Sequence, residues 1–113
     1  MQRKATQTTR AANAAERKHI AWCKDQNCAV CGRAGPSICD HVFGATFKHA
    51  KTLIGMWCIL PLCVECDRIK TLGSLRKFTE KFGRVCPMIL SVINRSPAHA
   101  PSDVLMAIED WGR

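Results

Sequence analysis

No stretch of this chain approaches the ~20 consecutive apolar residues that a membrane-spanning helix needs. The longest apolar stretch, residues 54–63, is interrupted by Gly55 and Pro61, so no membrane partner is expected. A secretory leader is not expected either: Met1-Gln2-Arg3-Lys4 runs into a polar Ala/Thr/Arg segment without an apolar core. That basic start also fits an organellar transit peptide, but from His19 onward the chain already reads as folded domain, leaving little to remove. A cytoplasmic location is therefore expected. Acidic residues are few: nine Asp and Glu face seventeen Lys and Arg, a formal net charge of +8. An excess of this size favours a polyanionic partner, of which nucleic acid is the commonest.

What the chain has in plenty is cysteine, eight in 113 residues. Without export, disulfides are disfavoured and metal thiolates favoured. The length is that of one domain, and 47% hydrophobic residues exclude a disordered chain. Below roughly 150 residues the buried fraction is limited, so a metal staple helps.

Four of the cysteines fall into two Cys-x-x-Cys pairs. Cys28-Ala29-Val30-Cys31-Gly32 is a knuckle, with Gly32 permitting a positive φ after the second thiol. Leu62-Cys63-Val64-Glu65-Cys66 repeats it. Cys28, Cys31, Cys63 and Cys66 supply the four ligands of a tetrahedral structural Zn²⁺. The gap between the pairs exceeds that of a simple ribbon and has room for a two-stranded hairpin. Cys23, Cys39, Cys58 and Cys86 share no ligand spacing and read as small buried hydrophobes. A redox role for the pairs lacks the βαβ context it would need.

Periodicity places a helix over residues 14–24, a strand over 37–42, a basic loop over 45–55 with at most a helical turn, and a strand over 56–60. Further helices are expected over 64–72 with Gly73 as stop, over 75–82 capped by Ser74, from Pro87 at a first helical position, and over 103–111 capped by Ser102. Residues 1–15 read as a basic arm, either a solvated tail or a strap on a phosphate backbone. Residues 16–113 read as one domain, with a zinc-stapled core over 28–72 and C-terminal helices over 74–113 that pack on the core or mediate a homodimer.

Between the knuckles stands Asp40-His41. A neutral imidazole can take a proton from water near pH 7, and a carboxylate beside it can hold a divalent cation against a phosphate oxygen. Neighbouring strand residues point to opposite faces, so both reach one site only where the strand is bulged or ends. The plain alternative is an ordinary strand histidine. Lys48 and Lys51 in the basic loop, and Arg68, Lys70, Arg76 and Lys77 after the second knuckle, are candidate phosphate contacts or a solvated face.

The order Cys-x-x-Cys, Asp-His, Leu-Cys-x-x-Cys, then a helix with a Lys four residues on, resembles the HNH endonuclease superfamily. With Arg17-Lys18-His19-Ile20-Ala21-Trp22, Leu60-Pro61-Leu62-Cys63 and the Gly73…Phe78…Phe82-Gly83 tail, it is similar to phage and prophage HNH proteins of the recombination-enhancement type, over residues 17–83. The resemblance implies an α+β chain: a small ββα-metal core with added N- and C-terminal helices. It implies His41 as general base, Asp40 as ligand of a catalytic Mg²⁺ or Mn²⁺, duplex or branched DNA as substrate, and a bacterial or phage-infected cell. Asp67 stands where the family has a metal-binding His; it is a hard oxygen ligand, or simply an acid that favours a helix start. The family's central Asn before Cys63 is missing. Two functions follow: a metal-dependent endonuclease, or a zinc module of the same build that binds nucleic acid or a protein without cutting.

Overall fold

The computed structural model describes residues 12–112. Residues 1–11 of the expected basic arm lie outside the described residues; Ala14 and Ala15 open the first helix.

That helix, α1, spans Ala14–Lys24. It starts on a reciprocal cap: Asn13 Oδ1 accepts from the Glu16 N–H and Glu16 Oε1 accepts from the Asn13 N–H, both at 2.9 Å. The chain then turns through the first knuckle. There Gly32 sits at φ 78° and donates its N–H to the Cys28 carbonyl, a conformation that a side chain would strain.

Strand β1, Ile38–His41, pairs antiparallel with β4, Ile59–Leu62. The second strand was expected over 56–60 and lies slightly later, running through Pro61. Val42 donates to the Cys58 carbonyl, and the two-residue period therefore makes Cys39–Pro61 a non-hydrogen-bonded pair. The missing proline N–H costs no ladder bond, and the Pro61 carbonyl accepts from Ala29 of the first knuckle instead. All four residues of β4 are buried. α1 and the later helix Val85–Arg95 both pack on β4, which is why this strand reads as a continuous apolar run.

Between these strands the expected loop contains a hairpin, β2 (Lys48–His49) with β3 (Thr52–Leu53). Its turn puts Ala50 and Lys51 at φ 51° and 69°. Neither residue carries the glycine or asparagine signal of such a turn, so its sequence reads as loop.

Helix α2, Val64–Arg68, follows β4 directly and passes into a π-helical turn, Ile69–Gly73. Helix α3, Leu75–Phe82, is capped as expected by Ser74, whose Oγ accepts from the Lys77 N–H, and stops at Gly83 with φ 99°. Helix α4, Val85–Arg95, starts two residues before Pro87, whose absent N–H falls in the first turn and would be unpaired anyway. Helix α5, Ser102–Trp111, is preceded by Pro101 at its cap, so Ser102 is its first residue and not its cap.

The described residues thus form an α+β arrangement of five α-helices and two two-stranded sheets. The core is built on Trp57, Ile54, Ile59, Leu60, Leu62, Phe78, Ile89 and Ile108, all fully buried. At about 1.5–3 kcal/mol per buried large side chain, this set dominates the stabilisation. The C-terminal helices pack on the body: Trp111 stands edge-on to Phe43 at 4.5 Å, and His49 Nε2 meets Asp110 Oδ2 at 2.7 Å.

Candidate metal centre and acidic site

The two knuckles converge. One sulfur from each of Cys28, Cys31, Cys63 and Cys66 lies within 4.8 Å of every other, and Cys31 Sγ is 3.6 Å from Cys63 Sγ. A zinc tetrahedron with Zn–S of about 2.3 Å has edges of about 3.8 Å, so the sulfurs stand within about 1 Å of the spacing such an ion imposes. Cys28, Cys63 and Cys66 are buried and Cys31 is exposed.

Local structure also sets the protonation. Burial pushes the Cys28 thiol up, but the backbone N–H groups of Cys31, Cys63 and Val30 outweigh it and bring it down to about 6. The Cys66 N–H lowers Cys63, which sits at the α2 N-cap. Burial and the neighbouring sulfurs raise Cys66; Cys31 is also raised, the favourable Arg33 N–H being outweighed by Cys28 and burial. These four cysteines are placed so that they could hold a metal ion, and an all-sulfur donor set is consistent with structural zinc. The remaining cysteines lie elsewhere. Cys23, Cys58 and Cys86 are buried and Cys39 is half-buried, its thiol donating to the Ile20 carbonyl at 3.4 Å.

The acidic site lies where β1 meets α2. Asp40 Oδ2 is 3.1 Å from Lys70 Nζ, both side chains being 14% exposed. Asp67 completes the group. Its carboxyl is raised by burial first, then by the charge of Asp40, against the opposing pull of Lys70. Asp67 and Lys70 are three residues apart and share a helix face.

Pairing along β1 is unbroken from Ile38 to His41, with no bulge; the strand ends at His41. Among the described residues, two buried side-chain polar atoms lack a hydrogen-bond partner, Asp40 Oδ2 and His41 Nε2. Lys70 approaches Asp40 as an ion pair without the alignment of a hydrogen bond. Buried polar atoms are nearly always satisfied, so an orphaned His41 Nε2 beside an Asp40 oxygen held by an ion pair alone marks this strand end.

The candidate phosphate contacts divide into three groups. Arg68, Arg76 and Lys77 are exposed on α2 and α3, with Arg76 3.6 Å from Glu80. Lys48 and Lys51 are exposed on the separate β2–β3 hairpin. Lys70 faces inward to Asp40. Two concavities, of about 440 and 500 Å³, lie away from the acidic site; the first sits between the hairpin and α5.

One buried polar group carried no signal in the sequence. His19 is fully buried, with Nδ1 2.8 Å from Ser96 Oγ and its ring 5.0 Å from that of Trp57. Burial lowers its pKa to about 4. The Asn13-x-x-Glu16 capping box was legible in the sequence and would have placed that helix start. Lys70's partner, Asp40, lies thirty residues earlier on β1 and left no local signal in the sequence.

Comparison with protein-family models, curated proteins and solved structures finds no match to the chain.

Proposed function

We propose that this chain is a metal-dependent endonuclease of the HNH type, hydrolysing a DNA phosphodiester at the end of β1. The observation that carries the reading is a buried imidazole nitrogen without a hydrogen-bond partner, His41 Nε2, next in sequence to the shielded carboxylate of Asp40, which Lys70 meets as an ion pair, with a second carboxylate, Asp67, on the following helix. A strand pair followed at once by a helix, with four cysteines holding both ends of that segment, supports it. Asp40 and Asp67 would hold a Mg²⁺ or Mn²⁺, for which hard carboxylate oxygens are the fitting donors. Such an ion, when bound, neutralises charge on the scissile phosphate. His41 takes the proton of the attacking water. The exposed Arg68, Arg76 and Lys77 grip phosphates without reading bases.

A second reading is a zinc module that binds DNA without cutting it. The Asp40–Lys70 ion pair and the cover over His41 Nε2 favour it. Incubation of zinc-loaded protein with supercoiled plasmid and Mn²⁺ separates the two. Nicking that is abolished by excess EDTA and by His41→Ala supports the nuclease. Salt-sensitive binding with the plasmid left supercoiled overturns it in favour of the module.

A further inference from the structure

Lys70 is the group whose position the proposed reaction does not use. It is four residues past Cys66, where the helix has just widened from α to π at Ile69. Such widenings are rare and concentrate at functional sites. Its ammonium stands 3.1 Å from Asp40 Oδ2 and is largely shielded from water. Within this cluster two carboxylates, Asp40 and Asp67, share the influence of one ammonium, which is paired with Asp40. A dication would balance both carboxylates where the ammonium balances one.

We propose that Lys70 is the resident counter-ion of Asp40, released when a divalent cation binds Asp40 and Asp67, and then free to meet a substrate phosphate. This rests on the reading of those two carboxylates as the cation-holding pair. The ion pair closes the site in the cation-free protein, and cation binding opens it. Because the coupling is reciprocal, a phosphate that captures Lys70 tightens cation binding by the factor by which the cation tightens phosphate binding. Lys70 is on this account a positioning residue, with one charged end and two alternative partners.

The test is Mn²⁺ binding to full-length, zinc-loaded protein, followed by the electron paramagnetic resonance of free Mn²⁺. Wild type, Lys70→Met, Lys70→Arg and Asp40→Asn are compared, with zinc content confirming that each is folded. The expected result is that Lys70→Met binds Mn²⁺ about tenfold tighter than wild type, the gain from removing a competitor worth about 1.4 kcal/mol. Lys70→Arg should stay near wild type, and Asp40→Asn should lose binding. Equal or weaker binding by Lys70→Met overturns the counter-ion role and leaves the carboxylate site standing. Mn²⁺ binding that is absent in every protein, or unchanged in Asp40→Asn, overturns the carboxylate site itself and the inference with it. An independent readout needs no variant: acetylation of Lys70 by an amine reagent, quantified by mass spectrometry, should rise several-fold on adding Mn²⁺. An unchanged rate overturns the release.

Discussion

Lys70 Nζ lies 3.1 Å from Asp40 Oδ2, and the pair joins the helix after the second knuckle to the strand after the first. Removing one partner of a largely buried pair strands the other charge, at a cost of about 3–5 kcal/mol when nothing else compensates. Here Asp67 remains beside Lys70. Asp40→Asn should therefore cost less, about 1–3 kcal/mol, read as a lower urea midpoint at unchanged slope.

The four sulfurs carry a larger prediction. A structural zinc contributes about 10–16 kcal/mol at neutral pH, as much as or more than the ~5–15 kcal/mol total stability of a small domain. Metal analysis should give about one tightly held zinc per chain. Cys66→Ser, or stripping with a strong chelator, should abolish the cooperative thermal transition seen by circular dichroism.

His19 sets an acid limit. Its pKa falls from 6.5 to about 4 because the folded protein buries the ring. Above pH 6.5 the imidazole is neutral folded or unfolded, and it costs nothing. As pH falls from 6.5 toward 4, the unfolded chain takes up the proton first and stability is lost. The loss totals about 3 kcal/mol by linkage. Denaturant midpoints measured between pH 7 and 4 should drop accordingly in wild type and drop less in His19→Gln.

The turn of the β2–β3 hairpin holds Ala50 at φ 51°, a conformation that costs a residue with a Cβ about 1–2 kcal/mol. Ala50→Gly relieves this but gives the unfolded chain more freedom. A net gain of about 0.5–1 kcal/mol is expected, seen as a raised melting temperature.

Sequence and structure agree where the signal is local. The helices at Ala14–Lys24 and Leu75–Phe82 were legible from apolar period, the Ser74 cap and the Gly83 stop. The convergence of Cys28, Cys31, Cys63 and Cys66 was legible because two knuckles have few other uses. The hairpin at Lys48–Leu53 was hidden, because its turn uses Ala50 and Lys51 where a pattern reader looks for Gly or Asn. The start of the second strand is not marked in the sequence, because Met56, Trp57 and Cys58 are as apolar as the Ile59–Leu62 run that pairs with β1. The inward turn of Lys70 was hidden for another reason. A lysine among arginines reads as surface, and only its partner on a strand thirty residues earlier draws it in.

The central claim is that His41 acts as a base on a phosphodiester beside Asp40 and Asp67. It is tested most directly by single-turnover cleavage of an end-labelled DNA duplex with Mn²⁺, comparing wild type with His41→Ala at equal zinc content. Loss of a general base should slow cleavage by about 10²–10⁴-fold while binding of the duplex is unchanged. Equal rates for the two proteins, or no cleavage by wild type, would contradict the account.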